Sequence, residues 1–71
     1  MIQVTAIYDG SEIGFGEGDS VDYAIEECID SIDSMYIENA LNDIVLSFNG
    51  KSGYPNKLML GAVYYKARQY F

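Results

Sequence analysis

The sequence predicts an α+β domain in which an N-terminal antiparallel β-hairpin packs on two or three α-helices, and two patterns carry that prediction. Residues 2–15 alternate apolar and polar side chains on either side of Asp9-Gly10, as a hairpin does. Residues 19–33 and 34–48 each repeat apolar residues at i, i+4, i+7, i+8 and i+11, as amphipathic helices do. The expected order is ββαα, followed by a C-terminal helix or third strand over 57–71.

Asp9-Gly10 suits a type I′ turn, because both positions need positive φ, which glycine adopts freely and aspartate tolerates. A two-residue loop pairs Tyr8 with Ser11, Ala6 with Ile13 and Val4 with Phe15. Ile2, Val4, Ala6, Tyr8, Ile13 and Phe15 then share one face. Gln3, Thr5, Glu12 and Gly14 take the other, with Ile7 as the exception. An isolated hairpin is marginal in water, so its apolar face needs a cover.

Gly14, Gly16 and Gly18 read as a flexible turn from strand to helix. A Gly-x-Gly-x-Gly stretch ahead of a helix also invites a phosphate-loop reading. Glu17 lies among these glycines, Asp19 follows and no lysine is near, so the local field opposes a phosphate. Asp19 or Ser20 supplies the N-cap of the helix over 19–33. Val21, Ile25, Cys28, Ile29 and Ile32 form its apolar stripe, the natural cover for the hairpin. At about 100° per residue, Asp19, Asp22, Glu26, Asp30 and Asp33 fall within an arc of roughly 80°, with Glu27 to one side.

Ser34 begins the second helix, whose stripe is Ile37, Leu41, Ile44, Val45 and Phe48 with Ala40 beside it, and Asn49-Gly50 is its stop. A rival reading makes 44–48 a short strand, since that run is rich in β-formers; the longer helical period outweighs it. Lys51 to Asn56 is a loop, because Pro55 cannot sit inside a regular element. Over 57–71, Met59, Ala62, Val63, Ala67 and Tyr70 fit a helix capped by Asn56, while Leu58, Leu60, Ala62 and Tyr64 fit a strand. The helix is favoured, since it carries Lys66 and Arg68 toward the end where the macrodipole attracts cations; Gly61 is its weak point.

Seventy-one residues predict a single domain over 1–71 that buries only a little over ~60% of its unfolded surface, too little for a large enclosed active site. A 49% hydrophobic and 21% charged composition is that of a folded chain. No apolar run approaches a membrane span, and no basic start leads into an apolar region as in a signal peptide. One cysteine on a helix stripe fits a reducing compartment, so a cytoplasmic location is expected, in the host cell if the protein is phage-encoded.

The net charge of −7 is divided unevenly: all eleven acids lie in the first 50 residues and all four bases in the last 21. Such a surface repels nucleic acid and anionic membrane and attracts basic partners. There is no histidine, and Cys28 lies mid-stripe, so the inventory for catalysis is poor and no enzyme is expected. Asp30, Asp33 and Glu38 are close in sequence but lack the alternating ligands, glycine and glutamate of a calcium loop, so neither metal nor cofactor is expected.

Two local resemblances bear on function. Asp19-Ser20-Val21-Asp22 resembles the Asp-Ser-Leu stretch of acyl carrier proteins, which implies a phosphopantetheine on Ser20. That family is helical and places a long helix and loop before the motif, where this chain has a predicted hairpin; an N-cap accounts for the same serine. Ala6 to Ile13 and Ile37 to Ile44 resemble the first hairpin and a later helical segment of small type I-F anti-CRISPR proteins of phages. That resemblance implies a phage or mobile-element inhibitor that binds a CRISPR surveillance complex.

The acids over 19–33 span ~21 Å of helix at one charge per roughly 3.5 Å, close to the ~3.4 Å phosphate spacing of a DNA strand. Like charges at i, i+3 and i, i+4 destabilise a helix, so stability alone does not select them. The expected function is therefore a small acidic, non-enzymatic binding protein, a nucleic-acid mimic occupying a basic surface of a host protein or nucleoprotein complex. Its contacts are Asp19, Asp22, Tyr23, Glu26, Glu27, Asp30, Asp33 and Tyr36, with Tyr54 a further aromatic anchor. The alternatives are an assembly protein that dimerises through Tyr64, Tyr65, Tyr70 and Phe71, and an acyl-carrier-like protein modified on Ser20.

Overall fold

The computed structural model describes residues 1–50 and 56–68, with side-chain surroundings through Tyr65. Strands β1 (Ile2–Tyr8) and β2 (Ser11–Gly18) lead to helix α1 (Val21–Ser31), short helix α2 (Ser34–Ala40) and a 3₁₀ turn (Leu41–Asp43). Strands β3 (Val45–Asn49) and β4 (Lys57–Met59) and helix α3 (Leu60–Arg68) follow. The fold is α+β, with helices following an N-terminal antiparallel hairpin. The four strands form one antiparallel sheet in the order β2-β1-β3-β4. The predicted loop over 51–55 lies outside the described residues, as do Tyr54, Tyr70 and Phe71.

The hairpin turn is as its sequence demands, with Asp9 at φ 52° and Gly10 at φ 79°. Tyr8 pairs with Ser11 and Ile7 with Glu12, after which a bulge shifts the register so that Ala6, Val4 and Ile2 face Gly14, Gly16 and Gly18. The predicted pairing therefore fails beyond Ile7, and Phe15 leaves the core face to stand 42% exposed opposite Thr5. The cause is the helix. α1 lies so close over β2 that a Cβ on Gly16 would overlap the Cys28 nitrogen and the Ala24 carbonyl oxygen. Only glycines fit beneath it, and the bulge is what turns them toward it. They are strand residues, not the flexible turn expected of them.

α1 covers the hairpin as predicted: Ala24, Ile25, Cys28, Ile29 and Ile32 are buried against Ile2, Val4 and Ala6. Each fully buried aliphatic side chain of this kind contributes roughly 1.5–3 kcal/mol. Ser31 fastens the helix to the strand, since its hydroxyl donates to the Cys28 carbonyl at 2.7 Å and accepts from the Phe15 N–H at 2.8 Å. The helix is shorter than 19–33. Ser20 is its N-cap, accepting from the Tyr23 N–H at 3.2 Å, and the chain leaves it in extended conformation at Ile32.

The second predicted helix stops at Ala40, and 45–49 form a strand, the rival reading. Ile44 and Phe48 suit either period, being four apart. Leu46, which a helix would turn away from its stripe, is fully buried, while Val45 is only half-buried. A period of two wins because β3 pairs with β1 inside the sheet, which turns Leu46 and Phe48 to the buried face and Val45 and Ser47 to the other. The C-terminal segment divides between the two readings: Lys57–Met59 add a short edge strand, and Leu60, wholly buried, starts α3.

Candidate functional site

α1 presents its charged side away from the sheet, and the geometry there differs in one residue from the predicted arc. Asp19, Asp22, Glu27, Asp30 and Asp33 are exposed, but Glu26 is only 3% exposed. A helical wheel places Glu26 between Asp22 and Asp30, so periodicity alone puts it in solvent. α3 packs against α1, an approach no local pattern reveals, and Glu26 makes a polar or charged interaction within the fold. Glu26 is thus a core residue and not part of the exposed acidic face.

Asp33 also has a structural duty. Its carboxylate accepts the Met35 N–H at 2.9 Å and caps α2, which turns it out of line with the α1 acids. Tyr36 is half-buried, its ring tilted at 56° on Tyr8 with centroids 5.6 Å apart. These two rings, Met35, Asn39 and Ala40 line a small recess of about 280 Å³ apart from the α1 acids. The structure does not join Tyr36 to them.

Tyr23 is where the site is best built. Its ring rests on Gly18, so close that a Cβ there would strike it, and half of the ring remains exposed. Its hydroxyl hydrogen-bonds the Glu27 side chain one turn on, and that bond, with the Glu27 charge, raises the phenol above its ordinary pKa. Beside the ring opens a groove of about 630 Å³ lined by Met1, Glu17, Gly18, Asp19, Ser20 and Tyr23. Glu17 and Met1 were not foreseen as part of this site. Glu17's alternation with Gly16 and Gly18 could have shown it pointing away from the helix, had β2 been extended to Gly18.

Cys28 is wholly buried under β1, and burial, the largest influence, pushes its thiol up to about 12; the Glu12 charge adds to this and an Ala6 backbone hydrogen bond opposes it. Such a thiol stays protonated and shielded from solvent near neutral pH. Among the described residues no three His, Cys, Asp or Glu side chains converge as a metal site, and no helix is long and apolar enough to cross a membrane. The sheet sets this fold apart from the helical one that the acyl-carrier resemblance implies. Tyr64 and Tyr65 meet edge to face at 5.3 Å, with Tyr65 69% exposed. Compared with protein-family models, curated proteins and solved structures, the chain matches none.

Proposed function

We propose that this protein is a non-enzymatic binding protein whose α1 face docks on a basic, nucleic-acid-binding surface of another protein or nucleoprotein complex. The observation that carries this reading is Tyr23, an exposed aromatic ring packed on Gly18 on a helix face that also presents the exposed acids Asp19, Asp22 and Glu27. Aromatic anchors dominate interface energies. The surrounding acids supply attraction and orientation toward Lys and Arg. Inhibition of a host nucleic-acid enzyme, in the manner of a phage anti-CRISPR protein, follows if the occupied surface is the one that holds nucleic acid.

The test uses a complex captured from host lysate at low salt. Its affinity should fall steeply as salt rises, a DNA duplex or single strand should compete, and Tyr23→Ala should weaken binding by more than about fivefold, roughly 1 kcal/mol. Glu27→Lys with Asp30→Lys should abolish it. An affinity flat in salt and indifferent to both changes rules the reading out.

An assembly role through the C-terminal aromatics is the second reading, supported by the exposure of Tyr65 against Tyr64. Tyr65→Ser leaves partner binding intact and removes self-association if that reading holds.

A further inference from the structure

The helices pack on the face of the sheet that carries Ile2, Val4, Ala6, Leu46 and the β2 glycines, and among the described residues no element packs on the opposite face. The register places three rows across that opposite face. Glu17, Gln3 and Asn49 form one row; Phe15, Thr5, Ser47 and Lys57 the next; Glu12, Ile7, Val45 and Met59 the third. Phe15 and Met59 are 42% and 41% exposed, and Ile7 and Val45 half-buried between them. On this face the central strands carry the half-buried Ile7 and Val45 among Gln3, Thr5, Ser47 and Asn49, while edge strand β2 presents Phe15 between two acids and edge strand β4 presents Met59 beside a lysine.

We propose that this face is a two-fold interface on which a second copy of the chain docks, with the symmetry axis running along the strands so that β4 of one copy lies over β2 of the other. The charge pattern selects both occupant and axis. Turning the sheet over about a line parallel to its strands exchanges left and right edges, which sets Lys57 of each copy over the Phe15 row of the other, between Glu17 and Glu12. Turning it about a line across the strands stacks β2 on β2 and sets acid against acid. A generic basic partner would meet Lys57 with like charge, whereas a second copy satisfies both edges twice by symmetry. Sheets packed face to face keep their strands within about 30° of alignment, which this axis permits.

The footprint limits the strength. Four strands at ~4.8 Å and three rows along them give roughly 350 Å² per copy, well below the ~800 Å² of a standard interface, so the dimer is weak and forms only at high concentration. The dimer holds the two α1 faces outward on opposite sides. It does not depend on the function proposed for them.

Sedimentation equilibrium on the full chain at ~0.15 M salt, which screens the −7 charge of each copy, tests this. Weight-average mass should climb from 7.9 kDa toward twice that value as concentration rises into the millimolar range. Phe15→Ser should remove the rise, with circular dichroism checking the fold. Lys57→Glu, an exposed change on a short edge strand, should weaken association about tenfold, from two rim pairs lost at once. Combining it with Glu12→Lys and Glu17→Lys should restore association. A monomer at every concentration overturns the proposal, as does association that survives Phe15→Ser and Lys57→Glu, is not restored by the triple exchange, or is abolished by Tyr65→Ser alone.

Discussion

Gly16 and the backbone of Cys28 are in such close apposition that there is no room for a β-carbon between strand β2 and helix α1. Gly16→Ala must lift the helix from the sheet, and overpacking of this kind against rigid backbone should destabilise by about 3 kcal/mol. Gly10→Ala meets nothing within 4 Å and bears only the strain of positive φ, about 1 kcal/mol. Urea unfolding of the two variants should separate them clearly. Equal midpoints would mean that α1 does not sit on β2 as described.

Glu26 and Glu27 are neighbours in sequence with opposite situations, one buried and one exposed. Glu26→Lys places an opposite charge in the core and should unfold the protein or lower its stability by about 3 kcal/mol or more. Glu27→Lys should change stability by only about 0.5 kcal/mol. Thermal unfolding monitored by circular dichroism distinguishes them, and a mild Glu26→Lys variant would return that residue to the surface.

Ser31 joins the end of α1 to β2 through two hydrogen bonds. Removing the hydroxyl in Ser31→Ala leaves the Phe15 N–H without that acceptor and should cost about 1–2 kcal/mol. Hydrogen exchange at Phe15 should accelerate beyond the global change. An unchanged exchange rate there would show that the bond does not hold the strand.

The Cys28 thiol stands at about 12 in the fold against 9.0 ordinarily, so the folded state favours the neutral form. Its contribution to stability is whole below about pH 9 and is lost as pH rises toward 12, because the unfolded chain gives up the proton first. Cys28→Ala should therefore lose less stability than the parent between those values. In the native protein at pH 8, iodoacetamide should label Cys28 only as fast as the chain opens.

Tyr23 titrates high because its hydroxyl donates to Glu27, whose charge also opposes the phenolate. Glu27→Gln removes the charge and should bring the phenol back toward its ordinary value of 10.0. An ultraviolet titration against Tyr23→Phe, which identifies the signal, measures this; an unmoved Tyr23 would separate the two side chains.

Local chemistry determined much of this protein by itself. Asp9-Gly10 dictated the turn, Ser20 the start of α1, and the spacing of Ile25, Cys28, Ile29 and Ile32 the face the helix buries, because each depends on residues within a few positions of one another. The same local reasoning placed the exposed acids Asp19, Asp22, Glu27 and Asp30. Tertiary structure decided the rest. Ile44 and Phe48 are spaced for helix and strand alike, and only pairing with β1 made that run a strand. The bulge at Ile13 exists because α1 needs glycines beneath it, so Phe15 was moved to the opposite face by a helix that follows it in sequence. Glu26 lies on the charged side of its own helix yet is buried, in a fold where α3, more than thirty residues on, packs against α1. Periodicity describes one element in water, whereas burial belongs to the element that arrives on top of it.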